Sequence, residues 1–359
     1  MTDSTPKTML VMAGGTGGHI FPALAIARLL RDEGWYIHWL GNPESMEEKL
    51  AEQNGFAMLK VRFGALRGKG LARMLKLPFS LVFAIWQAVR AIRLVRPDVV
   101  LGMGGYISFP GAIAAKLLGI PLVIHEQNAI AGLANRVLSR VAQRTLTGFP
   151  AVLKQGECVG NPVRAAIADI PPPEERMAER EGVLKLLVVG GSLGAKALNE
   201  VIPEGLQKLP PELMPEVVHQ AGEKHLAELE ANYQEYREQG GSVHCVPFIE
   251  DMAGAYAWAD LVICRAGALT IAELAAVGVA AILVPFPHAV DDHQTANARF
   301  LTLAGGGILL PQTDLTPEAV ALIGDYKRGQ LLEMAKKARE LARPDAARMV
   351  ANVCKAIAK

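Results

Sequence analysis

The sequence predicts an α/β chain of two doubly wound nucleotide-fold domains, and three observations predict it. A glycine-rich turn occurs twice, roughly half a chain apart: Gly14-Gly15-Thr16-Gly17-Gly18-His19 after the apolar run 8–13, and Gly190-Gly191-Ser192-Leu193-Gly194 after 184–189. Each stands where a strand should hand over to a helix, and glycine there lets the backbone approach an anion at the helix N-terminus. Short apolar runs alternate with helical patterns along the chain, as expected for a parallel sheet covered on both faces. The length of 359 residues suits two such domains better than one. Two loops of this kind point to a cleft enzyme handling phosphorylated ligands.

In the first half the candidate strands are residues 8–12, 36–40, 57–60, 99–102, 122–125 and 144–146, with helical patterns at 22–33, 46–54 and 111–118. The second half repeats the scheme with strands near 185–189, 217–220, 243–246, 261–264, 281–284 and 307–310. Gly160-Asn161-Pro162-Val163-Arg164 is a stiff turn ahead of Pro171-Pro172-Pro173 and marks the junction. The expected domains are therefore residues 1–162 and 163–343. The C-terminal helical region 331–359 is broken at Pro344, and 344–359 is expected to pack back onto the first domain.

With 51% hydrophobic and 20% charged residues, the composition is that of a well-cored α/β protein. The net charge of +1 hides an asymmetry, since residues 1–160 carry 18 Lys/Arg against 10 Asp/Glu. No acid occurs between Glu52 and Asp98, while Lys60, Arg62, Arg67, Lys69, Arg73, Lys76, Arg90, Arg93 and Arg96 do. An anionic partner is expected near that half. Three charge-free stretches, 77–89, 99–115 and 274–290, are too short or too broken by glycine and proline to be read as membrane spans. The polar start, residues 1–7, is not a secretory signal. Cys158, Cys245, Cys264 and Cys354 lack metal-ligand spacing and read as buried thiols of a reducing compartment.

A dinucleotide site would need G-x-G-x-x-G and an acid at the end of the second strand. Reading from Gly15, the third glycine position holds Ile20, and the second strands end Leu40-Gly41-Asn42 and Gln220-Ala221-Gly222. Neither turn continues as Gly-Lys-Ser/Thr, so a P-loop is excluded too. A third loop, Gly102-Met103-Gly104-Gly105-Tyr106, follows the fourth strand. With the first loop it would put two anion cradles on one sheet edge, suiting a diphosphate held by Gly14, Gly15, Gly104, Gly105 and Tyr106. The plain alternative is a set of tight turns.

The strings GGTGGHIFPALAIA, GMGGYISFPGAIAA, HEQNAIAGLANR, GNPVR, GGSLGAKALN, RAGALTIAEL and QTANA occur in this order. Together they resemble the MurG family, the peripheral membrane N-acetylglucosaminyltransferases of bacterial peptidoglycan synthesis, over nearly the whole chain. The resemblance implies the GT-B architecture, two Rossmann-like doubly wound domains separated by a cleft. It implies inverting transfer of GlcNAc from UDP-GlcNAc to the 4-hydroxyl of MurNAc in undecaprenyl-diphospho-MurNAc-pentapeptide (lipid I), giving lipid II at the cytoplasmic face of the bacterial inner membrane. It assigns a ribose role to Glu273, donor-diphosphate contacts to Ser192 and Arg164, sugar-hydroxyl reading to Gln294 and Asn128, and a uracil contact to the backbone of Ile249. Thr16, Gly17 and Gly18 are counted with the donor site. No nucleic acid partner is implied, and there is room for cell-wall synthesis proteins as partners.

The residue chemistry is compatible with this. A helix should begin near Ala268, where the N–H groups of Ala268, Leu269 and Thr270 can hold a diphosphate. Glu273 can accept bonds from ribose hydroxyls, or simply complement the helix dipole. His19, at a helix N-terminus where the cationic form is disfavoured, is a candidate base for the acceptor hydroxyl. Glu126 competes for that role, and the choice between them stays open. Helix dipole, backbone N–H groups and Arg164 would stabilise the leaving group, and Asp291-Asp292-His293 reads as a loop charge pair, so no obligatory metal or other cofactor is expected.

For a lipid acceptor the acid-free stretch acquires a use. Leu75, Leu77, Phe79, Phe83 and Trp86 are interleaved with Lys69, Arg73 and Lys76, and from Pro78 onward Phe79, Val82, Phe83 and Trp86 share one helical face. Such a face with a basic rim suits an anionic bilayer, or else it is core against the sheet. Rival readings are a UDP-GlcNAc 2-epimerase, another glycolipid synthase of the same fold, and a non-catalytic nucleotide-sugar-binding scaffold.

Overall fold

The computed structural model describes residues 6–64, 71–191 and 194–359, with the side chains of all of these except 71–76. Two compact units emerge, Met1–Arg164 with Pro344–Lys359, and Ala165–Arg343. Unit 1 runs through β1 (Thr8–Met12), α1 (Gly17–Asp32), β2 (Tyr36–Gly41), α2 (Met46–Gln53), β3 (Ala57–Lys60), α3 (Leu71–Val95), β4 (Val99–Gly102), α4 (Ser108–Leu117), β5 (Leu122–Glu126), α5 (Leu133–Leu138), β6 (Arg144–Thr147) and β7 (Glu157–Cys158). Unit 2 holds α6 (Ala165–Ala168), α7 (Pro173–Met177), β8 (Lys185–Val189), α8 (Lys196–Leu206), β9 (Glu216–Gln220), α9 (Leu226–Asn232), α10 (Gln234–Glu238), β10 (Val243–Val246), α11 (Met252–Trp258), β11 (Leu261–Cys264), α12 (Ala268–Val277), β12 (Ala280–Leu283), α13 (His293–Thr302), β13 (Ile308–Leu309), α14 (Pro317–Ala321) and α15 (Arg328–Glu340). The chain then returns to unit 1 as α16 (Ala346–Ile357), which packs on α1.

Each unit is a parallel sheet, of order β3-β2-β1-β4-β5-β6-β7 in unit 1 and β10-β9-β8-β11-β12-β13 in unit 2. Strands covered on both faces bury every side chain, which is why β4, β11 and β12 are buried throughout. In both sheets the order reverses beside the first strand, so the loops after β1 and β4, and after β8 and β11, gather at the carboxyl edge where such folds bind ligands.

Several boundaries differ from the sequence reading. Helix α1 starts at Gly17, five residues ahead of the expected start, and carries Pro22 inside it. The residue four before that proline is Gly18, so the ring deprives only a carbonyl in a half-exposed turn. The strand expected at 281–284 is Ala280–Leu283, and that at 307–310 shrinks to Ile308–Leu309. Strand β7, two residues long, has no pattern to betray it. Cys158 is exposed, against expectation, while Cys245, Cys264 and Cys354 are buried.

Helix α3 continues past Arg90, so its segment Leu77–Val95 is long and apolar enough to cross a membrane by length and composition. Its inward face tells otherwise. Ala84, Ala88 and Ile92 are buried with Leu10, Val100 and Ile124 of the sheet, and the helix packs along α4. A helix so committed is a layer of the domain.

In unit 2, Asp260 is fully buried and accepts from Arg180 Nη1 (2.6 Å), Lys185 N (3.0 Å) and Arg328 Nη2 (3.1 Å). The buried carboxylate is thereby neutralised and ties α15 to the start of β8.

Candidate functional site

In unit 1 the loops after β1 and β4 press together. Gly104 and Gly105 adopt φ of +97° and +82°, and a Cβ on Gly105 would run into the carbonyl oxygen of Gly14. The single Ser108 hydroxyl hydrogen lies between Gly104 O (2.6 Å) and Met12 O (3.0 Å) and is shared by the two carbonyls. A Cβ on Gly104 would stand 2.8 Å from His19 Nδ1, so glycine there makes room for the imidazole. His19 lies in the first turn of α1, half-buried, with Nδ1 2.9 Å from Gln127 Oε1.

The anion-cradle expectation needs correction at Gly15. Behind that turn lies the buried carboxylate of Glu47, which accepts from Gly15 N at 3.4 Å and from Asn42 N at 3.3 Å. An N–H facing a carboxylate does not cradle a phosphate. The N–H groups of Gly17 and Gly18, which open α1 and have no partner within the helix, are the ones suited to an anion. The Tyr106 hydroxyl accepts from Asn42 Nδ2 (3.1 Å), whose amide also pairs with both backbone groups of Phe63.

Glu126 is corrected as well. It is 3% exposed, and its carboxylate accepts from Asn128 N (2.9 Å), Asn128 Nδ2 (3.3 Å), Gly132 N (3.2 Å) and Asn135 Nδ2 (2.8 Å). It folds the loop between β5 and α5. A base must turn a lone pair toward substrate, and both oxygens of Glu126 are engaged. Asn128, half-buried, spends its amide nitrogen on the same carboxylate.

In unit 2, α12 begins at Ala268 as expected, with Gly267 at its N-cap supplying no side chain to the first-turn N–H groups of Ala268, Leu269 and Thr270. Glu273, in the second turn, is buried and accepts from the Tyr256 hydroxyl at 3.3 Å. Its charge adds to the burial that pushes the neighbouring Cys264 thiol up to about 12. Gln294 Oε1 accepts from Ala266 N (3.2 Å) and Phe286 N (2.9 Å), so its carbonyl end staples the loops after β11 and β12 and its nitrogen is the end suited to read a hydroxyl. Arg265 lies over the Phe286 ring at 5.6 Å and donates to the carbonyls of Val284 and Pro285 and to Gln312, and burial lowers its pKa. Ile249 is buried beyond β10, and Arg164 is half-buried at the end of the first segment of unit 1. Ser192 lies outside the described residues.

Asp291 and Asp292 both take left-handed φ (54° and 50°), and Asp292 accepts from Thr295 Oγ1 at 2.7 Å. Among the described residues no three His, Cys, Asp or Glu side chains gather as a metal site.

The face of α3 opposite its buried stripe is bare. Phe79 is 80% exposed, Val82, Phe83 and Trp86 are exposed too, Phe83 stacks on Trp86 (5.6 Å), and Arg90 lies over Trp86 at 4.9 Å. The reading of this face as core is therefore wrong for these four residues. Arg73, Leu75 and Lys76 belong to α3, with side chains outside the described set, and Lys69 lies outside it altogether.

Sequence reasoning missed Glu47, Asn42, Tyr256, Arg265 and Gln127. Gln127 adjoins the motif residues His125, Glu126 and Asn128, which is the one signal that pointed to it.

Known proteins match along the whole chain. Residues 9–147 match the glycosyltransferase family 28 N-terminal domain and residues 185–353 the family 28 C-terminal domain. The chain is 65% identical over 353 residues to the UDP-N-acetylglucosamine–N-acetylmuramyl-(pentapeptide) pyrophosphoryl-undecaprenol N-acetylglucosamine transferase of Dechloromonas aromatica, covering 98% of this chain and 99% of that one. It is 58% identical to the enzyme of the same name from Ralstonia nicotianae, over 99% and 97% of the two chains. Its fold is similar to the crystal structure of Acinetobacter baumannii MurG, with a TM-score of 0.85 and 42% identity over 98% of this chain and 100% of that one.

Proposed function

This chain belongs to glycosyltransferase family 28, and on that premise we propose that it transfers N-acetylglucosamine from UDP-N-acetylglucosamine to the 4-hydroxyl of MurNAc in lipid I, giving lipid II. It is a glycosyltransferase of the GT-B fold, built from two Rossmann-like units. The observation that carries the reading is His19, held by Gln127 at the edge where the two glycine loops of unit 1 meet.

In the proposed step, Nε2 of His19 takes the proton of the acceptor hydroxyl as that oxygen bonds to the anomeric carbon from the face opposite UDP. The bond to UDP breaks, and its electron pair leaves on the β-phosphate oxygen. The N-terminus of α12, with Arg164 and the backbone near Ser192, offsets the charge gathering there, so the step needs no obligatory metal. Glu273 takes the ribose, the Gln294 nitrogen and Asn128 the sugar hydroxyls, and Ile249 the uracil. Thr16, Gly17 and Gly18 serve the donor, and Gly14, Gly104, Gly105 and Tyr106 the acceptor diphosphate.

The acceptor is a lipid, and the bare face of α3 supports peripheral docking on the anionic cytoplasmic surface of the inner membrane. An apolar face beside Arg90 and Arg93 suits that surface.

The test is transfer of labelled GlcNAc from UDP-GlcNAc to a lipid I analogue with a shortened prenyl tail. Wild type should transfer, Glu273→Ala should bind donor more weakly, and His19→Ala should lose turnover. A well-folded wild type that instead converts UDP-GlcNAc to UDP-ManNAc would make the protein an epimerase.

A further inference from the structure

We propose that Gln127 is a positioning residue that decides which nitrogen of His19 is basic, at the end of a hydrogen-bond chain whose protons are ordered by two backbone carbonyls. The proposal rests on the reading of His19 as the base.

The order follows from what each atom can do. A backbone carbonyl only accepts. The Gln127 side chain reaches the His125 carbonyl at 3.2 Å through Nε2, so the NH2 end of the amide must lie on that side. Its oxygen therefore faces His19 at 2.9 Å, and an amide oxygen also only accepts. His19 must then carry its hydrogen on Nδ1, which leaves the lone pair on Nε2.

The far end obeys the same logic. His125 Nε2 lies 2.9 Å from the Gly160 carbonyl, so the hydrogen of His125 is on Nε2 and its Nδ1 is bare. That nitrogen accepts the second amide hydrogen of Gln127, at 3.2 Å. No donor in the chain faces another donor. Burial pushes His125 down to about 4, so this link stays neutral near neutral pH and the order is not scrambled by a second proton.

Two further features hold the chain in place. Asn161 Nδ2 donates to the Gln127 carbonyl at 2.9 Å, fixing the backbone that carries the amide. A Cβ on Gly104 would come within 2.8 Å of His19 Nδ1 and 3.4 Å of Gln127 Oε1, so only glycine leaves that bond room. Gln127 itself is 2% exposed and out of reach of substrate, so its action is through His19.

The chemical consequence is specific. A buried amide fixes the tautomer as a carboxylate would, without the negative charge that would hold the imidazole protonated. Once Nε2 has taken the acceptor proton, the imidazolium still donates from Nδ1 to Gln127, so no bond is lost during the step.

The experiment reads the tautomer directly. In protein carrying 15N-labelled histidine, the ring-nitrogen shifts of His19, assigned by their loss in His19→Asn, should report Nδ1–H in the wild type. In Gln127→Met, which keeps the side chain's shape, that signature should be lost, and kcat should fall about tenfold or more with KM for UDP-GlcNAc unchanged. A wild-type His19 protonated on Nε2 overturns the proposal, and this measurement needs no variant to fold. A Gln127→Met protein with unaltered tautomer and turnover overturns it equally. If His19→Ala keeps its turnover, the reading of His19 as base fails instead, whatever the tautomer, so the two failures are distinguishable.

Discussion

In unit 1 the buried His125 reaches a backbone carbonyl on one side and, through the amide of Gln127, the half-buried His19 on the other. In unit 2 the buried His219 reaches the amide of Asn199 at 3.2 Å and the Tyr233 hydroxyl at 2.9 Å. The amide is again oriented by a carbonyl, since Asn199 Nδ2 donates to Ala221 O at 3.0 Å. Burial lowers both imidazoles, His125 to about 4 and His219 to about 3. What differs is the end of the chain. Tyr233 and Asn199 are themselves buried, whereas His19 stands in an open turn at the sheet edge. A polar chain sealed at both ends can only stabilise, and one that opens to solvent can present a reactive atom.

The helices repeat the contrast. In α12, Ala268, Ile271, Leu274, Ala275 and Val277 are all buried, while α3 leaves Phe79, Val82, Phe83 and Trp86 bare. Of these two helices, α3 exposes an apolar face and α12 buries its own.

A pair of alanine variants separates the two histidine chains most strongly. His19→Ala should lower kcat by about 10²–10⁴ with an unchanged Tm. His219→Ala should do the reverse, losing about 2–4 kcal/mol by stranding Tyr233 and Asn199 while the folded fraction turns over normally. A His219→Ala protein that melts normally but works poorly would undo the distinction.

Acid tests what the two units share. In the unfolded chain both histidines take a proton near 6.5, but folded they do so only near 4 and 3. Between those values the unfolded state binds more protons, so stability is full above about pH 6.5 and falls as pH drops toward the folded values. Each histidine then costs about 1.4 kcal/mol for every pH unit crossed. Urea midpoints stepped down through this window should decline steadily. A flat profile would mean the buried imidazoles are already charged, and the proton order inferred from them would be lost.

The smallest stability effect belongs to α3. Phe79→Ser with Phe83→Ser should change stability by no more than about 0.5 kcal/mol and weaken binding to anionic vesicles, whereas Ile271→Ser in α12 should lower Tm sharply. Vesicle binding unaffected by the α3 pair would remove the membrane role of that face.

Most of the fold is legible because buried parallel strands are continuous apolar runs, and β1, β4, β8 and β11 begin and end where such runs do. The start of α1 is harder to read because proline normally opens a helix, and nothing local shows that Gly18 tolerates it further in. Side-chain roles are less readable. Glu126 looks like a base until Asn128, Gly132 and Asn135 are seen closing on it. Gln127 is an ordinary amide until the fold brings it to His19, 108 positions away.

One consequence concerns synthesis. Val350, Ala351 and Cys354 of α16 sit in the same core as Met9, Val11 and Ala27, and the Lys359 N–H bonds to Asp98 O. The domain the ribosome begins first therefore lacks a wall until all of unit 2 has been translated. Unit 2, contiguous in the chain, can mature on the nascent polypeptide, while unit 1 waits with part of its core open. Shortening the chain at its C-terminal helix would thus damage the domain made first and spare the one made later.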